Sequence, residues 1–156
     1  MYEIRKVKSN EVDEALELAM EVFMEFEAPD YGPEGVETFK QFIGDERLIQ
    51  GFKSGICPMY AAFDNGEIIG ILGMRDNKTH INSLYVKTEY QRKGVATEIF
   101  RFMLHDLREE NPSLSEITLN SSPYGLPFYR HLGFIPQSEE LEEDGIRYTP
   151  MKFLVK

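Results

Sequence analysis

The sequence predicts an α/β fold in which a mixed, mostly antiparallel central sheet of about six to seven strands is flanked by about four helices. Three observations carry that expectation. Two apolar runs, 59–63 and 68–74, flank Asp64-Asn65-Gly66-Glu67, and Asn-Gly between such runs is a strong signal for a tight hairpin. A third apolar run, 81–86, leads through the basic stretch Gln91-Arg92-Lys93-Gly94 into a segment with helical apolar spacing. The C-terminal part then repeats the strand-then-helix theme before it ends in extended segments.

Taken in order, residues 2–7 alternate well enough for a strand, and Ser9 or Asn10 is placed to cap the helix that follows. The apolar positions of that helix are Val12, Leu16, Ala19, Met20, Phe23 and Phe26. Pro29-Asp30-Tyr31-Gly32-Pro33 breaks the chain, and Val36, Phe39 and Ile43 mark a second, short helix that ends near Gly44. The hairpin 59–74, the polar turn 76–79 and the strand 81–86 come next. A helix over 95–108 buries Val95, Ile99, Phe102 or Met103, and Leu107, and Asn111-Pro112 stops it. Residues 116–119 read as a strand and 123–132 as a short helix that Gly133 terminates; strands at 134–137 and 146–155 close the sheet around a turn at 142–145.

At 156 residues and 42% hydrophobic content, the chain is long enough for one compact domain over 1–156 and too short for two ordinary ones. Neither a linker, a repeat nor a low-complexity segment divides it. No apolar run approaches the ~20 residues of a membrane span, and Met1-Tyr2-Glu3-Ile4-Arg5 lacks the apolar stretch of a signal peptide, so the expectation is a soluble, cytoplasmic protein without membrane contact. Seventeen basic against 27 acidic residues give a net charge of −10, which argues against nucleic acid as a partner and suits an amine or cation. Cys57 is the one cysteine, which leaves no internal disulfide and no metal-ligand cluster. An edge strand at the C-terminus or the second helix could support a homodimer.

The segment Gln91-Arg92-Lys93-Gly94-Val95-Ala96 reads as an anion-binding turn. A strand runs into a short basic loop whose backbone N–H groups become the first, unpaired donors of a helix. Gly94 lets the backbone approach an anion closely, and Ala96 keeps the same wall low. Arg92 and Lys93 add charge there, or are ordinary solvent-exposed cations.

With its preceding strand, the stretch Ser83-Leu84-Tyr85-Val86-Lys87-Thr88-Glu89-Tyr90-Gln91-Arg92-Lys93-Gly94-Val95-Ala96 resembles the acyl-CoA-binding motif of the GNAT superfamily of N-acetyltransferases. Leu119-Asn120 and Pro127-Phe128-Tyr129-Arg130-His131-Leu132-Gly133-Phe134 are similar to the family's second signature, a strand followed by a helix that contains Phe-Tyr and ends in Gly-Phe. The element order also matches the family over nearly the whole chain, so the resemblance implies a single GNAT-like domain. It implies acetyl-CoA as co-substrate and an amine as acceptor, with no metal. Cofactor contacts carried over are Leu84, Tyr85 and Val86 on the strand, Gln91, Arg92, Lys93, Gly94, Val95, Ala96 and Thr97 at the turn, and Asn120. By the same resemblance, the backbones of Leu84 and Val86 pair with the pantetheine arm as an added strand would.

Acetyl transfer from a thioester to an amine needs a neutral amine, a stabilised oxyanion and a proton for the departing thiolate. Tyr129 matches the family tyrosine near the thioester sulfur and is the expected acid; its plain alternative is an aromatic at the edge of the core. Phe128 and Phe134 read as packing residues. The base is less defined: Glu25 and Glu27 fall where the family's first helix and its following loop shape the acceptor pocket, and His80 or Asn82 opens the central strand. His131 adjoins a helix C-terminus and suits its dipole. Cys57 precedes Pro58 with no histidine near it in sequence, so direct transfer is expected over a covalent acyl-enzyme. The acceptor pocket is expected between 23–36 and the C-terminal hairpin, with Tyr31, Glu25, Glu27, Tyr148 and Glu142 contributing. A primary amine of a small molecule or a peptide fits this set equally. The alternative from another class is a non-catalytic acyl-CoA-binding or sensory module. A nucleoside-triphosphate site is disfavoured because the loop lacks a Gly-rich Lys-Ser/Thr sequence.

Overall fold

A computed structural model describes residues 2–156. Its eight strands form a sheet in the order β1 (Glu3–Lys6), β2 (Met59–Asp64), β3 (Glu67–Met74), β4 (His80–Val86), β5 (Glu116–Ser121), β8 (Ile146–Leu154) and β6 (Ile135–Pro136), with β7 (Leu141–Glu143) on β8. Every neighbouring pair is antiparallel except β4 with β5. Helices α1 (Val12–Val22), α2 (Pro33–Ile43) and α3 (Glu46–Ser54) cover one face, and α4 (Val95–Glu110) with α5 (Leu126–Leu132) the other.

The expected hairpin forms because Asn65 and Gly66 both adopt positive φ, 51° and 82°, the pairing a type I′ turn requires. The two cores follow the sheet's two faces. Beneath α4, Val95, Ile99, Phe100, Met103 and Leu107 pack on Ile69, Leu72, Ile81 and Ile117; on the other side, Val12, Leu16, Ala19 and Phe23 pack on Ile71 and Tyr85. Of the two expected alternatives on α4, Met103 takes the buried place while Phe102 lies edge-on to Tyr60 at 5.9 Å.

Several boundaries differ from the sequence expectation. Neither Ser9 nor Asn10 caps α1: Ser9–Glu11 form a 3-10 turn, and Glu11 Oε1 accepts the Lys8 N–H at 2.8 Å. The first helix does not continue regularly to Phe26 but passes after Val22 into a π-helical turn, Phe23–Glu27. A fifth helix, α3, fills the span between α2 and the hairpin; Asp45 caps it by accepting the Arg47 N–H, and Gly55 ends it at φ 84°. The three-residue β7 adds an eighth strand through the turn Asp144-Gly145, again with both φ values positive. Among the described residues, no helix is long and apolar enough to cross a membrane, and no group of three or more His, Cys, Asp or Glu side chains could hold a metal ion.

The turn between β7 and β8 is seated on the first turn of α2. Thr38 Oγ1 donates to the Asp144 carbonyl at 2.6 Å, and Tyr31 Oη donates to the Arg147 carbonyl at 3.2 Å. At Gly35 the two main chains meet: a Cβ there would overlap the Gly145 carbonyl and stand 2.8 Å from the Tyr31 Cβ. Gly35→Ala is therefore expected to cost about 1–3 kcal/mol, as overpacking does, and to lower the melting temperature in calorimetry by several degrees. An unchanged melting curve would mean that the hairpin yields freely.

Candidate active site

Strands β4 and β5 pair at only two positions, His80 with Thr118 and Ile81 with Leu119. Beyond them the strands diverge, and each keeps its other neighbour, β3 for β4 and β8 for β5. The facing edges of 82–86 and 120–121 are thus left without strand partners, and 82–86 with Asn120 line a cleft of about 640 Å³. A bulge marks the point of divergence. Gly73 pairs with Ser83 and Met74 with Ile81, so Asn82 is the extra residue.

One end of the cleft is the turn that follows β4. Arg92 and Gly94 hold left-handed backbone conformations, φ 61° and 81°, and Gly94 precedes the first residue of α4. The first helical bond runs from Glu98 N–H to Gly94 O at 3.0 Å, which leaves the N–H groups of Val95, Ala96 and Thr97 at the cleft without helical acceptors. Among the described residues beyond its two chain neighbours, no atom lies within 4 Å of where a Gly94 Cβ would be, so it is the positive φ that calls for glycine here. Gln91 has its side chain engaged: Nε2 donates to the Val86 carbonyl and Oε1 accepts from Tyr124 Oη, both at 2.9 Å. Tyr124 in turn stacks on Phe26 at 5.0 Å, making a belt from the π turn to the end of β4.

The other end brings together Glu27, Tyr85 and Tyr129. The π turn inserts one residue per turn relative to an α-helix, which carries Glu27 out of the solvent-facing row and into the cleft wall. Burial pushes its carboxyl up to about 7 from 4.5, with Ser122 opposing and the charge of Asp30 adding to the rise. Tyr129 is held in α5, its ring packed edge-on against Phe128 and Phe134. Gly125 makes room for it, since a Cβ there would stand 2.9 Å from Tyr129 Cε2. Burial and then the charge of Glu27 push the Tyr129 phenol above its usual value, and burial does the same for Tyr85.

Most residues expected at a site share this one cleft. Leu84, Tyr85 and Val86, then Gln91, Arg92, Gly94, Val95, Ala96 and Thr97, with Asn120, Glu27 and Tyr129, all line it. Two do not. Glu25 is exposed and its Oε2 accepts from Thr88 Oγ1 at 2.8 Å, while Lys93 turns toward the Tyr90 ring, 5.9 Å from its centroid. Tyr31, Tyr148 and Glu142 also stand outside the lining, on the hairpin side of α2. His80 bonds Thr118 Oγ1 at 2.8 Å, and burial lowers its pKa to about 4, so it stays neutral at the base of β4. Cys57 lies outside the lining as well, its thiol pushed up by burial. Ser83, Ser122 and Tyr124 were not foreseen at the cleft. The polar run Asn120-Ser121-Ser122, which breaks the polar-apolar alternation of 116–119, was a signal for the second of these.

The sequence of residues 27–155 matches the family model described as "Acetyltransferase (GNAT) domain". No curated protein matches the chain. Similar solved structures include a GCN5-related N-acetyltransferase from Rhodopseudomonas palustris, 18% identical, with a TM-score of 0.81 over 99% of this chain and 96% of that one. The PaiA N-acetyltransferase from Thermoplasma acidophilum, in complex with coenzyme A, is 21% identical with a TM-score of 0.81 over 99% of both chains. Escherichia coli ElaA is 19% identical with a TM-score of 0.68 over 98% of this chain and 99% of that one. These likenesses are of fold. The family match covers most of the chain, and the chain belongs to the GNAT acetyltransferase family.

Proposed function

We propose that this protein is a single-domain N-acetyltransferase that moves an acetyl group from acetyl-CoA directly to a primary amine. The observation that carries the reading is the cleft itself, which joins unpaired helix N–H donors at one end to a carboxyl and a phenol at the other. The residues fit the proposed donor. Free N–H groups at 95–97 with Arg92 beside them suit a pyrophosphate, and the helix N-terminus adds about 1 kcal/mol in a partly buried setting. The open edge of 82–86 suits an extended amide-bearing arm. Acetyl-CoA supplies the activated acetyl group as a thioester.

The chain's own groups then divide the proton work. Glu27, near neutrality, takes a proton from the acceptor ammonium, directly or through one water, while Tyr129 keeps its proton through the neutral range and offers it toward the leaving sulfur. With Cys57 outside the cleft lining, no thiol stands ready to form an acyl-enzyme. The test is a screen of small amines and peptides with acetyl-CoA, products read by mass; binding of acetyl-CoA without transfer to any acceptor would leave the acyl-CoA-binding module in its place.

The turn offers a separate check. Gly94→Ala is expected to weaken coenzyme A binding about tenfold in calorimetry, because an L-residue at φ 81° costs roughly 1–2 kcal/mol and pulls the N–H groups out of line. Equal affinity in the variant would remove the turn from the cofactor site.

A further inference from the structure

The cleft has a floor and a crosspiece. Its floor is Ile81 and Leu119, each 3% exposed, where β4 and β5 part. Beyond them the walls diverge, yet a bond joins them again on the solvent side. Tyr124, 46% exposed and just past the end of β5, donates from Oη to Gln91 Oε1 at 2.9 Å. Gln91 lies past the end of β4, and its Nε2 donates to the Val86 carbonyl at 2.9 Å, which ties the bond back to the β4 wall. Two more contacts brace the crosspiece: the Tyr124 ring stacks on Phe26 at 5.0 Å, and Glu25 Oε2, on the same π turn, accepts from Thr88 Oγ1 at 2.8 Å. The β5 wall, the π turn and the segment after β4 are thereby tied into a ring over the cleft.

The crosspiece lies between the two ends of the site. Gln91 adjoins the turn that carries the free N–H groups, whereas Tyr124 and Phe26 adjoin Ser122 and Glu27 at the other end. A molecule that touches both ends therefore passes it. The barrier is a light one. A neutral hydrogen bond beside solvent is worth little net, because water takes its place on both partners, and the exposed Tyr124 has open solvent to swing into.

We propose that Tyr124 is a further positioning residue for the reaction proposed above: it parts from Gln91 to admit the arm of acyl-CoA and closes over the arm once it lies between the walls. This rests on the reading of the cleft as an acyl-CoA site. The crosspiece is on the solvent side of the arm, so the bound form keeps the same bond. The shut form then prevails whether the site is empty or full, and only the open form exchanges its ligand. An arm roofed in this way is held against the open edge of 82–86 and screened from bulk water.

Surface plasmon resonance on the immobilised protein, with coenzyme A as the analyte, reads the two rates. Tyr124→Phe keeps the ring on Phe26 and deletes the bond to Gln91. Association and dissociation are both expected to quicken about fivefold, the worth of one neutral hydrogen bond, with the dissociation constant unchanged within about twofold. Tyr124→Ala, which gives up the stack as well, should quicken both further. A residue that only props the turn would lose affinity through dissociation alone. In a Tyr124→Phe protein with an unaltered thermal melt, either rate left unchanged overturns the proposal. Faster exchange with no transfer from acetyl-CoA to any amine would uphold the crosspiece and sink the reaction, and failure of the wild type to bind coenzyme A would sink both.

Discussion

Tyr129→Phe is expected to lower kcat by about 10²–10⁴-fold, the usual worth of a general acid, while KM for the amine changes little. The substitution isolates the hydroxyl. The ring packs between Phe128 and Phe134 and lies over Gly125, and a phenyl group keeps all of those contacts. No hydrogen bond among the described residues holds the hydroxyl, so the melting temperature should stay within a degree or two. Steady-state turnover together with a thermal melt decides it. Undiminished kcat would return Tyr129 to a packing role, and a fall in both readouts would point to structural damage.

Glu27→Gln is expected to cost about 10²–10³-fold in kcat/KM and to change the shape of the pH profile. With its carboxyl pushed up to about 7, the wild-type enzyme should gain activity as pH rises through neutrality, because the carboxylate is the form that accepts a proton. An acceptor ammonium titrates near ~10, well clear of this limb. Glutamine removes the limb as well as the rate. The same shift acts on folding in the opposite sense to an ion pair. The folded protein favours the neutral carboxyl, so ionised Glu27 destabilises it fully above about pH 7 and not at all below the ordinary value of 4.5. Glu27→Gln should therefore raise the melting temperature at pH 8 and leave it unchanged at pH 4, and a pH-independent difference would contradict the shift.

The two proposed proton carriers were not equally legible in the sequence. Tyr129 stood out only through the resemblance that Phe-Tyr before Gly-Phe carries, while the short helix that holds it was readable from its glycine end, a local signal. Glu25 and Glu27 looked alike in the sequence, since helical periodicity puts neither toward the core. A π turn separates them, and its extra residue per turn has no strong signature in single residues. The hairpin at Asn65-Gly66 and the β4-to-α4 turn were readable from local turn signals. Helix α3 was missed because it buries a single side chain, Phe52, and β7 because all three of its residues are exposed and show no alternation. The bulge at Asn82 depends on register with Gly73 and Met74, a long-range pairing that one strand's sequence does not contain.

Main chain rests on main chain where Gly35 meets Gly145, and at that point no side chain stands between α2 and the terminal hairpin to be trimmed or enlarged. Arg147 extends the joint by donating from Nη1 to the Asp30 carbonyl at 3.3 Å, which fixes the segment just beyond Glu27. Divergence at this wall is therefore expected to proceed by insertion and deletion more than by substitution. A residue added to the Asp144-Gly145 turn would act as a shim under α2 and tilt the end of the π turn with it, whereas changes on the exposed strand of Leu141–Glu143 would leave the geometry as it is.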